Sequence, residues 1–369
     1  MMRGAVVGLV ALVTLNTGVG VAAQDPLRLE LRAAIDRTVL GAALRWTDHG
    51  RTWTATAGSA RADRRQQVPA DGTYRIGSIT KAFVATVVLQ LADEGRLGLD
   101  EPLRRYLPDA LPPAYRLVTV RELLQHTSGV PDYRPEVMAD AESALRDRWR
   151  QWRPAELVAI ATAHPPLAEP GTALSYANTN YVLLGLLIRQ VTGRSWAQEV
   201  TDRLIRPLRL VQTTVPETDP RLPGHHAHGY ATVDQGLVDI TDISMTAIDA
   251  AGSIISTPSD VDRFFAALLG GRLLSPTTLA DMLRPFPGTL GGVAGYGLGV
   301  MTLQLPDTCG GTTLYGHGGG TFGFAGLVMA SADGSRRLVV SFNTTRFDEA
   351  ASPLPKLLAI TDAAFCGRS

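Results

Sequence analysis

The sequence predicts an α/β (α+β) fold in which one antiparallel sheet is built from both ends of the chain. Three observations indicate this fold: strand-like segments near the N-terminus, more of them near the C-terminus, and a proline-punctuated helical stretch between them. We expect a sheet lobe, flanked by helices, made of residues 24–95 and 230–369. An inserted all-helical lobe is expected over residues 96–229. The cleft between two such lobes is where we expect a functional site.

The first 23 residues have the pattern of a secretory signal peptide. Residues 1–3 form a short positive start, and Ala5 to Leu15 is apolar but too short to span a bilayer. Residues 21–23 are small, as a cleavage site requires. We therefore expect a mature chain that begins at Gln24, is secreted to the outside of the cell envelope and has no integral membrane segment after cleavage.

In the N-terminal part of the sheet lobe, the spacing of apolar residues changes from that of a helix to that of strands. Leu27 to Arg37 has the periodicity of a helix, whereas Gly41 to Trp46 and Thr52 to Ala57 alternate like two strands joined by a turn. Tyr74 to Gly77 is typical of a short strand. It leads into a helix that we expect to begin at Ser78.

The remaining elements are predicted in the same way. Helices in the middle of the chain are expected at Val120 to Leu124, Pro154 to Ala163 and Asn180 to Val191. Beyond Gly229, Pro258 to Leu269 is a predicted helix, with Thr257 as N-cap and proline at the first helical position. The last predicted elements are strands at Gly297 to Leu303, Thr312 to Gly316, Gly326 to Ala330 and Leu338 to Phe342, and a helix at Leu354 to Phe365.

Composition excludes several classes of function. The 369-residue chain is 45% hydrophobic with a formal net charge of +0, and no basic run is interleaved with aromatic residues, so we expect no nucleic-acid partner. Its two cysteines, Cys309 and Cys366, are expected to form a disulfide. The histidine-rich segment at residues 225–228 lacks a carboxylate or cysteine partner pattern. We expect it to be a loop entering a strand and expect no metal site.

Lysine usage identifies the first candidate site residues. Only two of the 35 basic residues are lysines, Lys81 and Lys356. Lys81 ends a Ser-x-x-Lys tetrad, and a spacing of three on a helix places its side chain on the same face as Ser78. A lysine can lose its proton when desolvated, whereas a guanidinium stays protonated. The tetrad therefore predicts a serine nucleophile with a lysine base. The alternative at this point is that Lys81 is an ordinary exposed lysine of the helix.

Two further clusters have residue types suited to the same chemistry. Tyr176 and Asn178 precede a predicted helix, and His317 is followed by Gly318, Gly319 and Gly320. The glycines allow a substrate to approach a strand closely. Two other interpretations stay open at this point: Tyr176 as a core tyrosine, and the triple glycine as a hairpin turn. His126, at the end of a predicted helix, is expected to be a structural capping residue.

In the order Ser-x-x-Lys, Tyr-x-Asn, His-Gly-Gly, the three motifs resemble those of the penicillin-binding protein and serine β-lactamase superfamily. The similarity is to its class C and D-Ala-D-Ala carboxypeptidase branch and runs from about Leu27 to the end of the chain. It is greatest to secreted actinobacterial-type carboxypeptidases.

The resemblance implies a role for each motif. Ser78, Lys81 and Tyr176 would be catalytic, with the last two sharing the serine proton, and the pKa of Tyr176 would be lowered by nearby positive charge. The substrate-binding residues would be Asn178, His317, Gly318, Gly319 and Gly320. His317 would supply charge beside Tyr176, and the backbone N–H groups of Ser78 and Gly320 would form the oxyanion site. No cofactor is implied.

The sequence departs from the family pattern where a substrate carboxylate is held. Gly318 and Gly320 stand where hydroxyl side chains are usual, and Met301 stands where some carboxypeptidases have arginine. We expect a monomeric D-Ala-D-Ala carboxypeptidase-like enzyme or D-peptidase that β-lactams can acylate, acting on a peptidoglycan stem peptide, β-lactam or ester. The alternatives are an esterase or D-amino-acid amidase, and a non-catalytic penicillin-binding-fold module. The last predicts loss of Ser78, Lys81 or Tyr176, and all three are present.

Overall fold

An eight-stranded antiparallel sheet organises the computed structural model, which describes residues 24–290, 294–346 and 352–367. The expected signal peptide lies outside the described residues. The strands are β1 Val39–Asp48, β2 Arg51–Gly58, β3 Tyr74–Arg75, β4 Tyr230–Val233, β5 Gly236–Asp239, β6 Ile255–Ser256, β7 Phe286–Leu290, β8 Ala294–Tyr296, β9 Met301–Gln304, β10 Thr313–Thr321, β11 Phe324–Ala330 and β12 Arg336–Thr344.

The strand order of the large sheet is β2-β1-β12-β11-β10-β9-β8-β7. The N-terminal hairpin β1–β2 pairs with the C-terminal strand β12, with Leu44 opposite Val340. The prediction that both ends of the chain build one antiparallel sheet is therefore confirmed. Two small antiparallel pairs, β3–β6 and β4–β5, lie outside it.

Eleven α-helices are present in the described residues. They are α1 Gln24–Ala33, α2 Thr80–Asp93, α3 Val120–Leu124, α4 Arg134–Val137, α5 Ala141–Arg146, α6 Pro154–Thr162, α7 Asn178–Thr192, α8 Trp196–Val200, α9 Pro258–Leu269, α10 Pro276–Leu283 and α11 Leu354–Cys366. None of these helices has the length and hydropathy needed to cross a bilayer.

Some element boundaries differ from the sequence prediction. Ser78 lies in a 3-10 turn, Gly77–Ile79, and α2 begins two residues later at Thr80. The strand predicted from Gly297 starts only at Met301, because residues 297–300 form a turn in which Gly299 has a φ of 86°. L side chains rarely adopt this left-handed conformation, so the turn depends on glycine.

Helix α2 is apolar on nearly every side, which is typical of a helix with no solvent face. Residues 79–89 of the chain are almost all completely buried. One core cluster contains side chains of α2, of the central helices and of the inner sheet face, such as Val328 and Val339. Because this core runs through both parts of the chain, the division at residues 95/96 and 229/230 stays a prediction.

A second core cluster covers the outer face of the sheet. There α1 and α11 pack on β1, β11 and β12, and Trp46 meets Phe365 edge-to-face with ring centroids 5.0 Å apart. The disulfide predicted between Cys309 and Cys366 is present and joins the end of α11 to the turn before β10. The C-terminal helix is thereby held against the sheet.

Candidate active site

The Ser-x-x-Lys spacing brings its two polar side chains together at the start of α2. Lys81 Nζ lies 3.0 Å from Ser78 Oγ. Lys81 is fully buried, whereas Ser78 is only partly buried. The serine therefore faces the cleft with the lysine directly behind it.

Lys81 has two other hydrogen-bond partners, both acceptors. Its Nζ donates to Asn178 Oδ1 at 2.8 Å and to the Ala251 carbonyl at 2.7 Å. In the described ranges no carboxylate forms an ion pair with this nitrogen. Burial holds the pKa of Lys81 well below its usual 10.5, with the positive charge of Arg134 acting in the same direction and the negative charge of Asp132 opposing it.

The three contacts match a neutral amine. An uncharged lysine has two N–H bonds and one lone pair, and Asn178 and Ala251 accept the two N–H bonds. The lone pair is then free to accept the proton of the Ser78 hydroxyl. A charged lysine would instead donate its third N–H to the serine oxygen.

Tyr176 lies beside this pair, with its ring centroid 4.8 Å from Lys81 Nζ. Burial in the cleft raises the pKa of Tyr176, the Asp132 charge raises it further, and a hydrogen bond with Ser78 offsets part of the rise. The positive charge of Arg134 does lower this pKa, but burial outweighs it, so the expectation of a lowered pKa is wrong. The phenol stays protonated and can donate a hydrogen bond.

His126 supports the Tyr176 ring. It ends α3 in a left-handed conformation with φ 60°, and the N–H of Thr127 closes the helix on the Glu122 carbonyl. The capping role predicted for His126 is thus confirmed. Its ring also packs against Tyr176 with centroids 4.1 Å apart, and its Nδ1 accepts from the N–H of Ala177 at 3.3 Å.

Asn178 is held from two sides. Its Oδ1 accepts from Lys81, and its Nδ2 donates to Asp132 Oδ2 at 3.1 Å. The Asp132 carboxylate also accepts the backbone N–H of Asn178 at 3.1 Å, which fixes the start of α7. One amide N–H of Asn178 is left over for a substrate, consistent with the position predicted for it.

His317 is buried on the inner face of β10 and is uncharged. Its Nδ1 donates to the Gly318 carbonyl at 2.5 Å, so its Nε2 accepts from the Tyr296 hydroxyl at 2.9 Å. Burial lowers the pKa of His317 to about 3, and the hydrogen bond to the Gly318 carbonyl offsets only part of that change. The expectation that His317 supplies positive charge is therefore wrong near neutral pH.

The triple glycine lies within β10, not in a turn, so the hairpin-turn interpretation is wrong. A Cβ on Gly319 would lie 2.0 Å from the Ile76 carbonyl oxygen, and a Cβ on Gly77 would lie 2.6 Å from Gly320 N. Both glycines are needed for β10 to approach the Ser78 turn this closely. The approach places the Gly320 backbone beside the serine.

A cavity of 330 Å³ contains this group of residues. Six predicted site residues line it: Ser78, Tyr176, Asn178, Gly318, Gly319 and Gly320. Lys81 does not line the cavity but contacts Ser78, and His317 is buried on the inner face of β10, where it contacts Tyr296. Arg134 also lines the cavity, with its side chain 47% exposed and its Nε 3.7 Å from Asp132 Oδ2.

Several residues of the site were missed by the sequence prediction. They are Asp132, Arg134, Tyr296 and the Ala251 carbonyl. Asp132 is 46 residues from Asn178 in the chain, and no local sequence pattern predicts the contact between them. Only the polar Pro-Asp-Tyr-Arg segment after Gly129 could have drawn attention to it.

The histidine-rich segment is not part of this site. His228 contacts Asp239 at 2.6 Å and Arg61 at 2.9 Å, just before β4 begins. Within the described parts of the chain, no group of three or more histidine, cysteine or acidic side chains could hold a metal ion.

The antiparallel sheet with a serine and a buried lysine beside strand β10 defines the class as a serine hydrolase fold. A family model described as Beta-lactamase matches residues 24–365, so the chain belongs to the β-lactamase family. The superfamily indicated by the three motifs is confirmed. Penicillin-binding protein 4 of Amycolatopsis lactamdurans is 30% identical over 72% of this chain and 71% of its own length. The aligned part spans 64% of Penicillin-binding protein 4* of Bacillus subtilis.

Two solved structures match nearly the whole chain. A D-stereospecific amidohydrolase from a Streptomyces species is 35% identical with a TM-score of 0.83, covering 94% of this chain and 99% of the other. The D-amino acid amidase from Ochrobactrum anthropi SV3, solved with L-phenylalanine amide, is 27% identical with a TM-score of 0.81 and the same coverage.

Proposed function

We propose that this protein hydrolyses amides or esters of D-amino acids through an acyl-enzyme formed on Ser78. The observation that carries the proposal is the 3.0 Å contact between Ser78 Oγ and a lysine that is fully buried with both its N–H bonds accepted elsewhere. A serine hydroxyl is a weak nucleophile and needs such a base.

Acylation follows from this arrangement. Lys81 takes the Ser78 proton while Oγ bonds to the substrate carbonyl carbon. The resulting oxyanion is stabilised by the backbone N–H groups of Ser78 and Gly320. The carbon–nitrogen or carbon–oxygen bond then breaks, and the leaving group receives the proton from Lys81, directly or through the protonated Tyr176 hydroxyl. Water releases the acyl group by the same steps in reverse order.

The substrate class is inferred from the open strand edge. Neither Gly318 nor Gly320 offers a hydroxyl, and Met301 uses its sulfur to accept the Gly318 N–H at 3.4 Å. A free substrate carboxylate would find no hydroxyl donor from these positions. Of the two matching structures described above, one is named a D-stereospecific amidohydrolase and the other a D-amino acid amidase, which supports a D-amino acid derivative as substrate.

A D-Ala-D-Ala carboxypeptidase is the second candidate, and Arg134 favours it. Its guanidinium lines the cavity and is about half exposed. A guanidinium can bind a carboxylate through two parallel hydrogen bonds. Arg134 could therefore replace the missing hydroxyls as the carboxylate anchor.

The two candidates are distinguished by three substrates. We expect kcat/KM for D-phenylalanine amide to exceed both that for L-phenylalanine amide and that for a peptide ending in D-Ala-D-Ala. Arg134→Gln should leave the order of these three kcat/KM values unchanged. A parent that prefers the peptide, and loses that preference in Arg134→Gln, would contradict the amidase proposal and support the carboxypeptidase.

We also propose that the protein acts outside the cell. The disulfide between Cys309 and Cys366 suits an oxidising compartment. Expression of the full chain in a secreting bacterial host should release a protein whose intact mass begins at Gln24. An intact mass that includes residues 1–23, found only within the cells, would contradict secretion. The monomeric state stays a prediction.

A further inference from the structure

Two acceptors from different parts of the chain hold Lys81 beside Ser78. One is Asn178 Oδ1, at the start of α7, and the other is the Ala251 carbonyl, 2.7 Å from Lys81 Nζ. The carbonyl belongs to a 3-10 turn, Asp249–Ala251, here called the acceptor turn. The direction of the Lys81 lone pair therefore depends on how firmly this turn is fixed.

Asp249 begins the acceptor turn with an unusual backbone conformation. Its φ of 46° lies in the left-handed region, which is unfavourable for most L residues and is best tolerated by Asn and Asp after glycine. The Asp249 carbonyl accepts the N–H groups of Gly252 and Ser253, both at 3.1 Å, so the turn closes on this residue. The conformation of Asp249 thereby determines where the Ala251 carbonyl points.

The Asp249 side chain connects the acceptor turn to α8. Its Oδ1 accepts the indole N–H of Trp196, the first residue of α8, at 3.0 Å. The Trp196 side chain is buried, and a buried indole N–H, which can only donate, needs an acceptor of this kind. The hydrogen bond therefore fixes the turn and the helix to each other.

Helix α7 has a glycine where the acceptor turn packs on it. Gly185 lies in the middle of α7, a position where glycine is less favourable than alanine. A Cβ on Gly185 would lie 2.9 Å from Ala250 Cβ and 3.2 Å from Trp196 Cδ1. The close approach of the turn and α8 explains the glycine. The helix that supplies one acceptor to Lys81 thus packs against the turn that supplies the other.

We infer that Asp249 is a positioning residue for the base: it fixes the acceptor turn so that Lys81 keeps its lone pair directed at Ser78. The inference rests on the proposed function, because it concerns proton transfer from Ser78. Asp249 is partly buried and is not among the described residues that line the cavity, so it acts through the Ala251 carbonyl. The preceding residue, Ile248, does line the cavity. The test must therefore separate the rate of acylation from substrate binding.

Asp249→Ala removes the acceptor for Trp196 and places at φ 46° a residue that tolerates this conformation poorly. Acylation by an activated ester is followed over a range of ester concentrations. We expect the maximal rate to fall by about 10- to 100-fold, since small displacements of catalytic groups have effects of this size. The ester concentration that gives half of the maximal rate should change by less than about twofold, because substrate binding is not altered.

Asp249→Asn is the conservative variant. Asparagine tolerates the left-handed backbone and offers an amide oxygen to the Trp196 indole, but it carries no charge. We expect it to restore most of the rate that is lost in Asp249→Ala. Arg209→Ala is the matched control, since Arg209 also has a left-handed φ, of 53°, and its side chain is exposed. This control should acylate at the parent's rate.

Trp196→Phe tests the same contact if Asp249→Ala fails to fold. It removes the indole N–H, keeps an aromatic ring and leaves the Asp249 backbone unchanged. We expect the maximal rate of acylation to fall as in Asp249→Ala, but by less.

Three results would overturn the inference. The first is a parental rate in folded Asp249→Ala or, if that variant does not fold, in Trp196→Phe. The second is Asp249→Asn as slow as Asp249→Ala, which would assign the effect to the negative charge. The third is a change confined to the half-saturating ester concentration. In each case, loss of labelling in Ser78→Ala leaves the proposed function standing, whereas labelling of Ser78→Ala like that of the parent would refute the proposed function itself.

Discussion

Arg75 and Lys81 are two fully buried basic side chains in neighbouring elements, β3 and α2. Arg75 donates to backbone carbonyls only: its Nη2 reaches Pro220 at 2.6 Å, and its Nε reaches Thr241 at 3.2 Å. Burial lowers the pKa of Arg75 to about 10, with nearby Asp242 and Asp219 opposing that change. The guanidinium therefore stays charged at neutral pH.

Lys81 differs in the type of its third partner. A guanidinium surrounded by carbonyls can only donate, so Arg75 connects β3 to the segments around Pro220 and Thr241. The Lys81 amine meets a hydroxyl, which can give a proton to its lone pair. Burial alone does not distinguish a structural cation from a base. The chemistry of the partners does.

Between the two buried basic residues, the larger effect on acylation is expected from Lys81→Arg. Arginine stays protonated and cannot accept the Ser78 proton, so we expect acylation to fall by about 10²- to 10⁴-fold, the usual contribution of a general base. The rate of covalent labelling by a fluorescent penicillin or an activated ester measures this loss.

Lys356→Arg is the matched control for that prediction. Lys356 lies on the opposite face of the sheet lobe and pairs with Asp36 at 2.7 Å. We expect this variant to be labelled at the parent's rate. Equal labelling of Lys81→Arg and Lys356→Arg would show that Lys81 acts only as a positive charge.

The next largest effect is expected from Gly318→Thr. A threonine hydroxyl at this edge position can donate to a substrate carboxylate, which contributes about 1.5–3 kcal/mol. We expect penicillin acylation to rise relative to hydrolysis of small uncharged esters, because the parent lacks this donor. Parallel rate measurements with both substrates check the change. The same factor for both would mean that the carboxylate is held elsewhere, with Arg134 the first candidate.

Arg75→Lys makes the reverse exchange at the structural cation. The single ammonium nitrogen of a lysine cannot reproduce the planar set of donors with which the guanidinium reaches both carbonyls. A buried acceptor left without a donor costs about 1–3 kcal/mol. We expect the free energy of unfolding in urea to fall by that amount while the folded protein is still labelled at Ser78. Loss of labelling in a variant of unchanged stability would contradict the distinction between the two cations.

A smaller effect is expected on the pH dependence. Acylation needs neutral Lys81, so kcat/KM should rise with pH through the Lys81 pKa, well below 10.5. Arg134→Gln removes a positive charge that lowers this pKa, so the acidic limb should move to higher pH. Asp132→Asn removes a negative charge that raises it, so the limb should move to lower pH. Profiles with an uncharged ester measure both, and shifts in the same direction would contradict the assignment.

Local features of the fold were predicted well from sequence. Pro258–Leu269 and Val120–Leu124 have the predicted bounds, because caps and prolines at their ends act over a few residues. The contact of Ser78 with Lys81 was predictable for the same reason, since one helical turn determines it.

The electrostatics of the site were not predictable in this way. The protonation of Tyr176 and His317 depends on burial by distant segments and on partners such as Asp132 and Tyr296. Gly318 is a similar case: the sequence shows a missing hydroxyl, but only the register with Leu327 shows the space beside it.

The most direct test of the account is to locate the covalent adduct. The protein is incubated with an activated ester or a penicillin, quenched with acid and digested, and the modified peptide is sequenced by mass spectrometry. We predict one adduct, on Ser78, that is absent from Ser78→Ala, together with a fall in turnover of about 10⁴-fold or more in that variant. An adduct on another residue, or turnover by Ser78→Ala close to that of the parent, would contradict the central claim.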